Sequence, residues 1–203
     1  MVRQTLLLIS DMRQVYLAEI LTKKGMNVRC LDIRNSQTAK EQLEKLCDFL
    51  KETKILILPI PIAKIRDQQV LNEILNENVN KDTMVFGGCF SEIQKEILTK
   101  RGIAFFDFME DETVKEENAV ATAEGVLSEL ISNSPYNIEG AKILVTGYGY
   151  CGKAVAEKLN GIGARVTVLA RRRESRKQAK RDGFYAADFA FGPEEAMGAA
   201  MVV

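Results

Sequence analysis

Short continuous apolar runs alternate along this chain with segments whose apolar residues recur at helical spacing. Thr5–Ile9 reads as a strand, and Met12–Lys24 as a helix carrying Val15, Leu17, Ala18, Ile20 and Leu21, stopped by Gly25. Val28–Ile33 is the second strand, and Thr38–Lys51 a helix with Leu43, Leu46, Phe49 and Leu50 on its buried face. Lys54–Leu58 is the third strand, closed by Pro59-Ile60-Pro61. A helix over about Arg66–Asn76 leads to a strand at Thr83–Phe86. Gly87–Ser91 turns into a helix ending near Arg101-Gly102, and Ile103–Phe106 is the fifth strand. Unbroken apolar strands between amphipathic helices predict a parallel sheet covered on both faces, in a flavodoxin-like layout. Ligands of such sheets bind outside the carboxyl ends of the strands. Those ends hold Asp11, Arg13 and Gln14, the Pro59–Pro61 turn, and Gly87-Gly88. Each also has an ordinary structural use: Asp11 as a helix cap, the prolines as turn formers, the glycines as a tight bend.

A longer helix is predicted over Val114–Ile131, with a glycine and a threonine interrupting its alanine-rich face at Thr122–Gly125. That interruption suggests close backbone approach to a ligand or neighbour, or tight packing through small residues. The turn-rich Ser132–Asn137 is the best boundary. Beyond it, Ile143–Thr146 is a strand running into Gly147-Tyr148-Gly149-Tyr150-Cys151-Gly152, which opens an apolar-periodic helix ended by Gly161–Ala164. Arg165–Ala170 follows as a strand. Strand, G-x-G-x-x-G, helix and strand in one βαβ unit is the dinucleotide fingerprint in its required context. Gly147 takes the turn, Gly149 admits the pyrophosphate, and Gly152 lets the helix pack. The helix N-terminus supplies amide donors and its dipole. The cofactor-binding residues expected are Gly147–Gly152 with Ala170, Arg171, Arg172 and Arg173.

The end of the second strand sharpens the choice of cofactor. An NAD-selective site places an acid there to bond the ribose 2′-hydroxyl. Here Ala170 is followed by three arginines, and Glu174 is the first acid. Guanidinium forks suit a 2′-phosphate, so NADP is favoured over NAD, although a third glycine such as Gly152 is common in NAD binders too. A basic helix continues to Arg181-Asp182-Gly183. Phe184–Ala186 is a short strand, Pro193-Glu194-Glu195 a helix start, and Met201-Val202-Val203 the opening of a further strand. Set against six strands in a full Rossmann domain, residues 138–203 form a truncated first half. Residues 1–112 form the flavodoxin-like domain, and 113–137 a linking helix and hinge.

Composition narrows the field. Lys+Arg and Asp+Glu are both 28, so no global field draws the chain to nucleic acid or membrane. No aromatic residue interleaves with the basic stretch at Arg165–Arg181 as a base-stacking surface would need. There is no histidine, and the four cysteines form no C-x-x-C pair, so a zinc-type metal site is not expected. The cysteines read as free thiols filling the core of a cytoplasmic protein. Cys151 is the exception, at a helix N-terminus where a thiolate is favoured. Acid–base chemistry within the chain would have to use carboxylate, Lys, Tyr or Cys.

Asp11-Met12-Arg13-Gln14, Ile55–Pro59, Thr122-Ala123-Glu124-Gly125, and Ile143–Gly152 with Gly163-Ala164 and Ala170-Arg171 together resemble the family of the dipicolinate synthase A subunit of spore-forming bacteria. The layout is also similar to 2-hydroxyacid and alanine dehydrogenases. The resemblance implies oxidation of a dihydrodipicolinate-type cyclic dicarboxylate to dipicolinate during sporulation, with NADP or NAD accepting the hydride. It further implies homo-oligomerisation and pairing with a B subunit. It places Asp11, Arg13, Gln14, Pro59, Gly87, Gly88, Thr122 and Glu124 around the substrate. Glu124 and Thr122 are then the candidate groups for the ring proton. The chain departs from the family in lacking the C-terminal Rossmann half, which leaves turnover by this chain alone in question. The competing reading is a regulatory or sensor protein that binds a dinucleotide without turnover.

Overall fold

The computed structural model describes residues 4–34 and 46–189, together with the backbone of 201–202. It divides into two compact units, Met1–Asp111 and Glu112–Val203.

In the first unit the apolar runs form a five-stranded sheet in the order β2-β1-β3-β4-β5. Its strands are β1 (Gln4–Ile9), β2 (Asn27–Asp32), β3 (Ile55–Ile57), β4 (Met84–Gly87) and β5 (Phe105–Asp107), and every pairing is parallel. Its helices are α1 (Met12–Lys23), α2 (described over 46–50), α3 (Gln68–Glu77) and α4 (Glu92–Arg101). Side-chain alternation splits the strands between two cores. Leu6, Leu8, Leu56 and Val85 pack with Leu46, Leu50, Leu71, Leu75 and Leu98 of α2, α3 and α4. Leu7, Ile9 and Ile57 on the other face meet Val15, Leu17, Ala18 and Leu21 of α1. Ile20, expected with them, is 51% exposed. Leu71 is fully buried. Leu71→Ala should lower unfolding free energy by about 2–5 kcal/mol in a urea titration, the usual cost of such a cavity.

Several boundaries shift by a residue or two from those the pattern predicts, and two of these shifts have a clear local reason. The fifth strand starts at Phe105 rather than Ile103 because Gly102, at φ +67°, ends α4, and the Ile103 amide bonds back to Leu98 O at 2.9 Å. The third strand ends at Ile57, although Leu58 N still donates to Phe86 O at 2.7 Å. Pro59 has no N–H to carry the ladder further. Leu43 and Pro193–Glu195 lie outside the described residues.

The second unit opens with α5 (Glu112–Asn133), which starts two residues earlier and ends two later than its apolar pattern. Then come β6 (Lys142–Thr146), α6 (Tyr150–Gly161), β7 (Arg165–Leu169), α7 (Arg173–Arg181), β8 (Tyr185–Ala187) and β9 (Met201–Val202). Its parallel sheet runs β8-β7-β6-β9, so the expected strand at Met201–Val202 pairs with β6, which has β7 on its other side. This is the order in which a Rossmann sheet begins. Ala119 and Ala123 are the small residues of α5 that are buried in this unit. Thr122, Glu124 and Gly125 are exposed, and a Cβ on Gly125 would meet nothing within 4 Å. Within this unit α5 therefore packs through its small residues Ala119 and Ala123, and the space beside Gly125 is open.

Three of the four cysteines, Cys30, Cys89 and Cys151, are exposed rather than core filler, and all four are free. No helix of the described residues is long and apolar enough to cross a membrane. Among the same residues no cluster of His, Cys, Asp or Glu could hold a metal.

Candidate functional site

The fingerprint loop joins β6 to α6, and its glycines differ in what the chain asks of them. Gly147 sits at φ +101°, where a side chain is strained, and donates to Leu169 O at 2.7 Å, fixing the loop to β7. A Cβ on Gly152 would lie 2.3 Å from Gly147 O, so the first turn of α6 rests directly on loop backbone. Gly149 is different. Its φ is −93° and a Cβ there would meet no protein atom within 4 Å, so neither conformation nor packing demands glycine.

The amides that follow are unspent on side chains. In the first unit α1, α3 and α4 are capped by Asp11, Asp67 and Ser91, whereas α6 has Gly149 at its cap and no side-chain cap bond. Uncapped amides at a helix start form an anion site together with the helix dipole.

The side chains around the loop are tied down. Tyr148, 8% exposed, stacks edge-on with Phe184 and donates its hydroxyl to Asp182 at 2.8 Å. Burial, and then the Asp182 carboxylate, push the Tyr148 hydroxyl well above the ordinary tyrosine range, so it remains a donor. Tyr150 donates its hydroxyl to Glu112 on α5, with the Lys115 ammonium 5.7 Å from its ring centroid. Cys151 is exposed on the first turn of α6. A cavity of about 530 Å³ adjoins the loop, lined by Tyr148, Gly149, Tyr150 and Lys153 with residues of α5 and α7. None of Ala170–Arg173 lines it.

At the end of β7, Ala170 is buried while Arg171, Arg172 and Arg173 are exposed. Arg176, in the sequence one basic residue among many, organises this turn. Its Nη1 donates to Ala170 O and Arg171 O, each at 2.7 Å, and to Asp188 at 2.6 Å. Arg176 thus stays with the backbone and leaves the three arginines before it facing solvent.

The first unit's predicted site residues gather at the carboxyl rim of its sheet. Asp11 caps α1 and Gln14, 5% exposed, completes a capping box by accepting from the Asp11 amide at 2.9 Å. Arg13 Nη2 donates to Asp11 at 2.8 Å and to Ile60 O at 2.9 Å, and Lys64 also pairs with Asp11. The Arg13 and Lys64 bonds hold the Asp11 carboxyl well below its ordinary range. Pro59, Gly87 and Gly88 are buried. Gly88 N donates to Pro59 O at 3.3 Å, and a Cβ on Gly88 would stand 2.7 Å from Ile60 Cγ2. Asp107, 6% exposed, accepts from the amides of Cys89, Phe90 and Met109 at 2.9, 2.9 and 2.8 Å. It holds Cys89 in a left-handed turn at φ +62°. Asp107 sits in an acidic run, which hid this role in the sequence. On α5, Thr122 donates to Asn118 O at 2.8 Å and Glu124 pairs with Lys158 at 3.0 Å.

Comparison with known proteins agrees with both units. Residues 10–109 match the N-terminal domain of the dipicolinate synthase A subunit, and residues 137–203 the NADPH-binding domain of acetohydroxy acid isomeroreductase. The dipicolinate synthase A subunit of Bacillus halodurans superposes with TM-score 0.70 at 17% identity, over 97% of this chain and 72% of that one. Its counterpart from Bacillus subtilis gives 0.67 at 16%, over 100% and 72%. An adenosylhomocysteinase of Thermoplasma volcanium is 29% identical over 160 residues, 74% of this chain and 37% of that protein. The chain spans well under half the length of the curated relatives it matches first. Residues 10–109 thus match the N-terminal domain of the dipicolinate synthase A subunit, and the unit that follows has the Rossmann-type NAD(P)-binding fold.

Proposed function

We propose that this chain is a nicotinamide-dinucleotide-dependent oxidoreductase of the dipicolinate synthase type, preferring NADP and acting on a small cyclic dicarboxylate. The observation that carries the cofactor reading is Gly149, a glycine that the protein's own packing and dihedrals do not require, beside α6 amides without a side-chain cap. Close approach of a diphosphate accounts for both. Gly147–Gly152 would hold the pyrophosphate and Arg171–Arg173 the 2′-phosphate. The bound nicotinamide would supply the hydride acceptor.

Loss of hydride and proton from a dihydropyridine ring gains aromaticity, so the protein mainly has to position the substrate and balance its charge. Arg13 offers a guanidinium to a carboxylate. Glu124 and Thr122 are the groups on α5 that this reading assigns to the ring proton. A B subunit, self-association and a role in sporulation complete the proposal by family likeness.

Gly149→Ala tests the cofactor reading with little disturbance to the fold. Its melting temperature should stay within about a degree of the parent, because the new methyl meets no protein atom. NADPH affinity, measured by fluorescence titration, should fall about tenfold. An unchanged affinity would remove the ligand from this loop. Stabilisation by NADPH and by dipicolinate, added separately, distinguishes an oxidoreductase from a dinucleotide sensor, which would ignore the dicarboxylate.

A further inference from the structure

In a parallel sheet ordered β2-β1-β3-β4-β5 the connections diverge between β1 and β3, and the crevice outside their carboxyl ends is where ligands bind. Two basic side chains meet at that point. Arg13 comes from the first turn of α1, just after β1, and Lys64 from a short 3₁₀ turn, Ile62–Lys64, after β3. We propose that Lys64 and Arg13 form a carboxylate-binding subsite at this switch point, receiving one carboxylate of a small dicarboxylate between them.

The charges do not cancel. Asp11 is the single acid that both cations share among the described residues, leaving the cluster one positive charge in excess. Elsewhere in this unit Asp32 pairs with Arg34 and Asp82 with Lys54, one acid to one cation. Donors are also left over. Arg13 spends Nε and Nη2 on Asp11 and Ile60 O, while Nη1 bonds to no group among the described residues. The Lys64 ammonium has three donors, and Asp11 is the acceptor it meets. Both side chains reach solvent, at 56% for Arg13 and 33% for Lys64. A carboxylate would take the outer edge of the guanidinium and a proton of the ammonium, as charge-assisted bonds prefer.

The scaffold beneath is fixed. Ile62, 1% exposed, donates its amide to Gly88 O at 2.8 Å, which anchors the turn carrying Lys64. The Ile60 carbonyl that orients Arg13 belongs to a residue packed against Gly88. Asp11 would then be a positioning residue, keeping two like charges side by side.

This subsite rests on the dicarboxylate reading above, so the test separates the two. The full chain is titrated calorimetrically with pyridine-2,6-dicarboxylate, benzene-1,3-dicarboxylate and NADPH, as parent, Lys64→Gln and Lys64→Arg. Lys64→Gln should weaken the dicarboxylates about tenfold or more and leave NADPH unchanged, with Lys64→Arg recovering most of the loss. A merely structural lysine would shift the melting temperature without that split. Equal dicarboxylate affinity in Lys64→Gln and parent would overturn the subsite while leaving the dipicolinate reading in place. Lys64-dependent binding of the benzene diacid with none of the pyridine diacid would uphold the subsite and sink that substrate. A parent that binds neither diacid overturns the subsite, whatever it does with NADPH.

Discussion

Gly152→Ala should lose dinucleotide binding by tenfold or more and should also melt at a lower temperature. The added methyl would stand 2.3 Å from Gly147 O and 2.9 Å from Gly147 C, both backbone atoms. Such a contact cannot be relieved by a rotamer change. Gly147 cannot retreat easily either, being bonded to Leu169 O and already at φ +101°. Overpacking of this kind costs about 1–3 kcal/mol, and relief requires the loop or the first turn of α6 to move. Both are the parts proposed to hold the phosphates, so affinity should fall with stability. Paired with Gly149→Ala, the variant separates two uses of glycine within one motif. One lets the chain touch itself, and the other, on the proposed reading, lets a ligand touch the chain. Gly152→Ala with parental NADPH affinity would show that the diphosphate is held elsewhere.

The second large effect concerns the choice between cofactors. Arg171→Ala combined with Arg172→Ala should weaken NADPH by about tenfold or more and leave NADH nearly unchanged, measured by titration at fixed ionic strength. The two side chains are exposed at the end of β7, while Arg176 holds the turn beneath them, so their removal leaves the backbone support in place. Equal losses for the two cofactors would mean that the arginines only steer anions.

The element pattern was legible in the sequence because buried parallel strands and amphipathic helices carry different periods, and the predicted strands all appear, shifted by a residue or two. Where Ile103 left the fifth strand, a helix cap competed for its amide, which periodicity does not register. The glycine motif was legible because the chain spells out a conformation. Its inner distinction, between Gly149 and Gly152, needed coordinates, since a Cβ clash depends on what folds against it. Asp107, Lys64 and Arg176 were illegible for one shared reason. Each acts on backbone or on a partner far along the chain, Lys64 reaching Asp11 from 53 residues away, and each looks in sequence like an ordinary surface charge.

The Asp107 carboxylate closes three amides from two loops onto one strand end. Cys89 and Phe90 belong to the turn above β4, while Met109 lies on the way out to Glu112, where the second unit starts. One clasp therefore serves as both the keystone of the rim and the footing of the segment that leaves it. Any swivel of that departing segment must either pivot beyond Met109 or drag the rim turn along with it.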